Sequence, residues 1–195
     1  NWARQAHHPN YPVTDVSFWE AIAYCRWATA TGLVPAGWMA DLPTQAEWNY
    51  ACGSTGVSGK LEKYPWGNNS LVLNEGGQAN CFHLNTESQR RHSTMPIGCF
   101  PLGTRQGIVD LVGNVGEWGH STEQIKKFES SVTVMPYLGM PFAQLYEDGK
   151  GGSVYGSPDG RNPQVGFRMV CRPITSPLSS EASTAGAPVP PALPS

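Results

Sequence analysis

Two stretches of the chain repeat hydrophobic residues with the period of an amphipathic helix. The first opens with Ser17-Phe18-Trp19-Glu20, a capping box in which the serine hydroxyl accepts a hydrogen bond from the amide of residue 20 and the glutamate reaches back to the amide of residue 17. Apolar residues then recur along one face: Ala21, Ile22, Tyr24, Cys25 and Ala28. The pattern predicts a helix that starts at Ser17 and is stopped by Gly32.

A second capping box, Thr44-Gln45-Ala46-Glu47, predicts a shorter helix that ends near Gly53. The carboxylates of Glu20 and Glu47 are also candidates for catalytic groups. However, the Ser/Thr-x-x-Glu context accounts for both of them fully. We therefore interpret Glu20 and Glu47 as helix caps.

The rest of the chain is rich in turn-forming residues. It holds 22 glycines and 17 prolines, and only 14% of its residues are charged, which favours a fold made largely of loops. Seven tryptophans supply large anchors for such loops. Within this part, the pattern predicts short strands at 107–112 and 165–171 and a short helix at 122–129.

Charge and hydropathy exclude two classes of function. The formal net charge is −2, and no stripe of lysine or arginine is present, so the electrostatic footprint of a nucleic-acid-binding protein is missing. No apolar run approaches the roughly 18 residues that a membrane-spanning helix needs. The sequence therefore predicts partners other than nucleic acid, and no transmembrane segment within this chain.

Composition changes after Arg172. Residues 173–195 hold six prolines, many alanines and serines, and one charged residue, Glu181. Such a segment buries too little apolar surface to fold by itself. We predict a domain over 1–172 and an extended tail over 173–195 that docks on another polypeptide through Pro188, Pro190, Pro191 and Pro194.

Six phrases, in order, make the chain resemble the formylglycine-generating enzyme (sulfatase-modifying factor) family. They are residues 11–17 (YPVTDVS), 42–48 (LPTQAEW), 64–68 (YPWGN), 113–118 (GNVGEW), 151–153 (GGS) and 166–168 (GFR). The resemblance implies a C-type-lectin-like α+β fold, with two helices beside a small twisted antiparallel sheet. It also implies that the N-terminal part is missing here, because only sixteen residues precede Ser17 where family domains carry some tens. A separate segment or a partner would then complete the fold.

The resemblance also bears on catalysis, because catalytic members carry two cysteines between the last two phrases and bind copper with them. Here the segment Val154–Val165 contains no cysteine, and none occurs between Cys99 and Cys171. We therefore expect no copper and a non-catalytic scaffolding or recognition subunit of a larger extracytoplasmic, bacterial-type assembly.

Two alternatives stay open at this point. One is an oxidase or iron-dependent oxygenase of the same superfamily, although the five histidines show no ligand spacing. The other is a ligand-displaying variable protein of the kind encoded by diversity-generating retroelements. In that case Tyr155, Ser157 and Asn162 would be displayed.

A calcium site is also implied, because the matching loop of the family binds a structural Ca²⁺. Its ligands here would be the side chains of Asp110 and Glu117 and the carbonyls of Gly113 and Val115. The alternative is that Asn114 and Glu117 only hydrogen-bond the loop. A second family site would map onto Asn80, Cys81 and residues 89–91, where Gln89 replaces the expected acid and weakens the site.

The five cysteines can be placed by the same resemblance. Family members place a structural half-cystine at Cys25, and its partner here would be Cys171. The family partner of Cys52 would fall in the shortened segment, so we expect Cys52 to be free or bonded elsewhere. Cys81 and Cys99 are candidates to pair with each other.

Overall fold

The computed structural model describes residues 2–53, 64–67, 78–80, 93–120, 123–127, 130–139 and 154–174. Its helices are α1 (Trp2–Ala6), α2 (Phe18–Ala30) and α3 (Gln45–Cys52), and a 3₁₀ turn spans Pro101–Gly103. The described strands are β1 (Trp38–Asp41), β2 (Gly116–Trp118), β3 (Glu123–Lys127), β4 (Ser130–Leu138), β5 (Val154–Gly156), β6 (Val165–Gly166) and β7 (Val170–Pro173). The predicted α+β class is confirmed.

Both predicted capping boxes form. The amide of Glu20 donates to Ser17 Oγ over 3.2 Å, and the amide of Ser17 donates to Glu20 Oε2 over 2.8 Å. At the start of α3, the amide of Glu47 donates to Thr44 Oγ1 over 3.2 Å, and the amide of Thr44 donates to Glu47 Oε2 over 2.7 Å. Gly53 ends α3 with a φ of 80°, a left-handed conformation that glycine adopts without a steric penalty. The capping interpretation of Glu20 and Glu47 is therefore correct.

The strands form two sheets. β1 and β7 make an antiparallel ribbon in which Ala40 lies opposite Cys171. The larger sheet has the order β3-β4-β2-β6, and β5 also pairs with β4. This sheet is mixed and not wholly antiparallel, because β2 and β6 run parallel.

Three local predictions need correction. Residues 107–112 form no strand, because Gly107 and Asp110 have φ values of 81° and 54° that interrupt an extended backbone. The helix predicted at 122–129 is instead strand β3, which pairs with β4 over five residues, so that sheet pairing decides the local structure. The strand predicted at 165–171 is divided between β6 and β7.

The predicted domain boundary after Arg172 falls inside β7. The strand continues to Pro173, and the amide of Ile174 donates to the carbonyl of Gly37 over 2.8 Å. The β1-β7 ribbon therefore carries the domain at least to residue 174.

Two of the hydrophobic clusters among the described residues contain several buried side chains each. In the larger one, the buried face of α2 packs against the fully buried Trp118, together with Ala40, Leu42, Met135 and Val165. The indole of Trp118 donates to the carbonyl of Val16 over 2.9 Å, which satisfies its only polar atom. The smaller cluster joins Trp48 and Cys52 of α3 to Leu111 and Leu138. Leu111 and Trp118 thus anchor both ends of the loop that carries the predicted calcium ligands.

Candidate functional site

The loop between Asp110 and Glu117 is held in a strained but well-connected conformation. Asp110, Gly113 and Asn114 all have positive φ, at 54°, 81° and 64°. The buried side chain of Asn114 closes the loop onto a neighbouring segment, because its Nδ2 donates to Met95 O over 3.1 Å and its Oδ1 accepts from Met95 N over 2.9 Å. Asn and Asp tolerate the left-handed region better than most residues, which explains their presence here.

Glu117 lies in a buried ion pair with Arg168. Arg168 Nε lies 2.5 Å from Glu117 Oε2, and Arg168 Nη2 lies 2.7 Å from Oε1, so both carboxylate oxygens are engaged. The side chain of Arg168 is 24% exposed, and that of Glu117 is 6% exposed. Burial by itself would lower the pKa of Arg168, but the charge and hydrogen bonds of Glu117 outweigh it and raise that pKa above its ordinary value.

The guanidinium of Arg168 also ties the pair to the loop. It donates to the carbonyls of Val109 and Asp110 over 3.2 and 3.1 Å, and it stacks over the ring of Trp48 at 4.9 Å. Glu117 belongs to the fourth phrase of the resemblance and Arg168 to the sixth, so the guanidinium joins these two phrases by one planar fork. Arg168 of the Gly-Phe-Arg phrase therefore holds the loop in place, a role that the sequence alone does not reveal.

In this arrangement, both side chains of the predicted calcium site have protein partners. Both oxygens of Glu117 face a cation already, and Asp110 Oδ2 accepts from the amide of Gly98 over 2.9 Å. A second cation at Glu117 would face repulsion from the guanidinium. Within the described ranges, no group of three His, Cys, Asp or Glu side chains converges as metal ligands do. The ligand set Asp110, Gly113, Val115 and Glu117 stays a prediction for a metal-binding measurement.

Asn80 belongs to the other predicted calcium site. Its side chain is 1% exposed, and its Nδ2 donates to Ser93 O over 3.1 Å. Its Oδ1 has no hydrogen-bond partner among the described residues. Cys81 and residues 89–91 of the same predicted site lie outside the described part of the chain.

The predicted Cys25–Cys171 disulfide is not formed in the structure, where both thiols are free. Cys171 lies opposite Ala40, and opposed residues of antiparallel strands share a face. Ala40 and Cys25 belong to the same core cluster, so both cysteines lie on one side of the ribbon. However, Cys25 is buried whereas Cys171 is exposed. The bridge stays a prediction for the chain under oxidising conditions.

The other two described cysteines are also free thiols. Cys52 is a free buried thiol in α3, and Cys99 is a free exposed thiol. Cys81, its suggested partner, lies outside the described residues. Burial raises the pKa of Cys25 to about 11 and that of Cys52 to about 12, so both remain protonated at neutral pH.

A second polar cluster, which the sequence did not indicate, joins four distant residues. Arg172 pairs with Asp41 and also contacts Glu47, at 2.9 Å from Oε1 and 2.5 Å from Oε2. His120 Nδ1 lies 2.8 Å from Asp41 Oδ2. The hydrogen bond from Arg172, more than any other contact, lowers the pKa of Glu47 to about 2. The cluster fastens β7 and residue 120 to α3, and sequence spacing gave no signal for it.

The described structure has an aromatic groove beside α2, with a cavity volume of about 670 Å³. The rings of Tyr24 and Phe167, which line it, lie 5.6 Å apart, and the ring of Trp27 lies 5.3 Å from that of Tyr24. We call this surface the aromatic groove; its apolar lining includes Pro9, Tyr11, Pro12, Tyr24, Ile97 and Phe167. The Glu117–Arg168 pair lines the same groove, which therefore adjoins the loop predicted to be functional.

The segment proposed for ligand display is tied into the fold. The side chain of Asn162 accepts from the amide of Gln164 over 2.8 Å, and its carbonyl accepts from Asp15 and Val165. Tyr155 pairs with Pro136 in the sheet, while Ser157 is exposed. Of these three residues, Ser157 is exposed, whereas Tyr155 and Asn162 are half-buried.

Known proteins are similar to this chain in sequence and in fold. A profile for the sulfatase-modifying factor enzyme 1-like domain matches residues 2–173. Mouse formylglycine-generating enzyme is 37% identical over 119 residues, which cover 57% of this chain and 27% of that protein. Hercynine oxygenase of Mycolicibacterium smegmatis is 34% identical over 114 residues, covering 56% and 22% of the two chains. Bovine inactive C-alpha-formylglycine-generating enzyme 2 is 33% identical over 115 residues, covering 58% and 34%.

Two solved structures share the fold. CarF superposes with a TM-score of 0.64 at 20% identity over 85% of this chain and 69% of that one. Variable protein 1 of Treponema denticola gives a TM-score of 0.64 at 19% identity over 84% and 72%. The sequence matches span about a quarter to a third of the curated relatives, whereas the family profile extends from residue 2 to residue 173. The chain belongs to the sulfatase-modifying factor enzyme 1-like domain family.

Proposed function

We propose that this chain is a non-catalytic recognition domain that works as a subunit of a larger extracytoplasmic assembly. The observation that carries the proposal is the lack of any cysteine between Cys99 and Cys171. Copper-dependent thiol oxidation needs paired soft thiolates, which this stretch of sequence does not contain.

The other cysteines do not supply the missing pair of thiolates. Cys25 and Cys52 are buried thiols whose pKa values are raised by desolvation, which is the opposite of what a reactive cysteine requires. Cys99 and Cys171 are exposed but are free thiols on separate segments. Within the described residues, a metal-binding thiolate pair is therefore missing.

The relatives support the proposal that this domain has the family fold but does not catalyse the oxidase reaction. One of them is named an inactive formylglycine-generating enzyme 2, at 33% identity. The fold neighbour from Treponema denticola is named a variable protein, although its identity of 19% supports the fold alone. The iron-dependent oxygenase remains the alternative, because a hercynine oxygenase is 34% identical.

The proposed recognition surface is the aromatic groove together with the exposed ridge of α2. Trp19 and Trp27 are each 51% exposed, and Tyr24 is 42% exposed. Aromatic residues at such a density on one side of a domain are typical of protein interfaces.

No helix in the described part of the chain is long and apolar enough to cross a membrane.

The test compares variants of two exposed helical tyrosines. The tagged wild-type chain, Tyr24→Ala and Tyr50→Ala are recovered from the source cells, and the copurifying proteins are quantified by mass spectrometry. Tyr24 lines the groove, whereas Tyr50, which is 57% exposed on α3, lies outside its lining. We expect a defined set of proteins to be lost with Tyr24→Ala and kept with Tyr50→Ala. Equal recovery with all three chains would refute recognition through the groove.

A further inference from the structure

We infer that the aromatic groove binds a polyproline II segment, and that residues 187–194 of the same polypeptide are its occupant. The inference rests on the proposed function in one respect, namely that the groove is a recognition surface. It goes further by naming the class of ligand and a specific occupant. It is an alternative to the prediction that the tail docks on another polypeptide, and the tail residues 175–195 lie outside the described part of the chain.

The groove has the chemistry that proline rings favour. The ring of Tyr24 contacts the ring of Phe167 at an interplanar angle of 67° and the ring of Trp27 at an angle of 43°. Tyr11 adds another aromatic ring to the lining, beside Pro12. Grooves lined by aromatic side chains bind polyproline II helices.

The charged groups along the groove are already paired. Glu20 accepts from Ser17 N over 2.8 Å and from Arg161 over 2.5 Å, and Glu117 is held by Arg168. Asp110 accepts from the amide of Gly98. Because each carboxylate that lines the groove has its partner, the remaining contact surface favours an apolar, uncharged ligand over a charged one.

The sequence of the tail matches that requirement. A polyproline II helix repeats every three residues, and Pro188, Pro191 and Pro194 have that spacing, so they would form one edge. Ala187, Pro190 and Leu193 would form the second edge, which is also apolar. No charged residue follows Glu181. The segment thus has two apolar edges for a groove and no charge to desolvate.

The tail is long enough to reach the groove of its own domain. Phe167 is seven residues before Ile174, so the two lie within about 25 Å of each other. The fourteen residues from Ile174 to Pro188 span up to about 43 Å in the polyproline II conformation. A linker of this length gives an effective concentration in the millimolar range. An intrinsic Kd of about 100 µM would therefore leave the groove roughly 90% occupied.

The experiment uses the full chain and a synthetic peptide of residues 187–195. Peptide binding is measured by tryptophan fluorescence and by calorimetry for the wild type and for the triple variant Pro188→Ser, Pro191→Ser, Pro194→Ser. The triple variant frees the groove without altering the described domain. We expect it to bind the peptide about tenfold more tightly than the wild type, because the wild-type tail competes.

Two further variants in the triple-serine background locate the site. Tyr24→Ala should weaken peptide binding at least tenfold, whereas Tyr50→Ala should leave it unchanged. A peptide of the same composition with the three-residue proline spacing removed is the ligand control, and it should bind at least tenfold more weakly.

Other outcomes would overturn the inference in distinct ways. Failure of the triple variant to bind the peptide would show that the groove is not a polyproline II site. Equal binding by the wild type and the triple variant would show that the tail is not the occupant. A wild-type chain that dimerises in sedimentation velocity, with the dimer lost in the triple variant, would assign the tail to a second copy. None of these outcomes restores catalysis, so the proposed lack of catalysis is judged separately.

Discussion

Arg168 and Glu117 are 51 positions apart in the sequence and share a two-pronged ion pair, with distances of 2.5 and 2.7 Å. The pair joins β2 to the segment after β6 and holds the loop that was predicted to bind calcium. Changing Glu117→Gln should lower the free energy of unfolding by about 3 kcal/mol, because it leaves a largely buried guanidinium without its counter-charge. Denaturant unfolding measures the loss.

The matched control is Glu20→Gln. This change removes the ion pair between Glu20 and Arg161, whose side chain is 55% exposed, while that of Glu20 is 45% exposed. Glutamine can preserve the capping box. We expect a loss below about 1 kcal/mol. Both variants are measured in calcium and in chelator. The ion-pair account predicts an equal loss for Glu117→Gln in both conditions, whereas a larger loss in calcium would support the calcium site instead.

Glu47 should contribute a pH-dependent part of stability through Arg172. Its pKa is lowered from 4.5 to about 2, chiefly by the hydrogen bond from Arg172. A depressed folded-state pKa stabilises the protein above the ordinary value, and that stability is lost as the pH falls from 4.5 towards 2. The melting temperature of Glu47→Gln should therefore vary less with pH over this window than that of the wild type. Parallel profiles for the two proteins would contradict the prediction.

The cysteines should differ in reactivity in the native state. Burial raises the pKa of Cys25 from 9.0 to about 11, which reduces its thiolate fraction about a hundredfold at neutral pH. We expect Cys99 and Cys171 to be alkylated first in the reduced protein, with Cys25 and Cys52 modified only after unfolding. Peptide mapping reads out each site.

The same measurement tests the predicted disulfide. If Cys25 and Cys171 pair under oxidising conditions, Cys171 should lose its reactivity in oxidised protein and regain it after reduction. Alkylation of Cys171 at one rate in both preparations would show that the bridge does not form.

Gly166 should tolerate no side chain. A Cβ at this position would overlap the carbonyl oxygen of Val13, which is backbone and cannot rotate away. Gly166→Ala should therefore lower the free energy of unfolding by about 1–3 kcal/mol. It should also disturb the aromatic groove, because Val13 lines it. A melting temperature equal to that of the wild type would contradict this packing.

Local signals predicted α2 and α3, because a capping box or a glycine stop signal acts over only about four residues. They did not predict α1, and the helix predicted at 122–129 is strand β3. The strands were harder to predict. β3 forms because β4 lies beside it, and residues 107–112 turn because Gly107 and Asp110 take positive φ. Neither effect is encoded by hydrophobic periodicity.

The site was predicted in part. The motif containing Glu117 was found from the sequence, but its partner Arg168 was recognised only as part of a phrase. The Arg172 cluster was missed because Asp41, Glu47 and His120 come from three separate elements or loops. The aromatic groove was missed for a similar reason, since Tyr11, Tyr24 and Phe167 are brought together only by the fold.

The most direct test of the central claim is oxygen consumption by the purified full chain with a cysteine-containing peptide, measured after loading with copper and separately with iron(II). Mouse formylglycine-generating enzyme, assayed with copper in parallel, serves as the positive control for the oxidase reaction. A non-catalytic domain predicts oxygen uptake and peptide mass unchanged from the metal-only background under both conditions. Turnover of the peptide with copper or with iron(II) would contradict the account and assign the chain to the enzymes of its family.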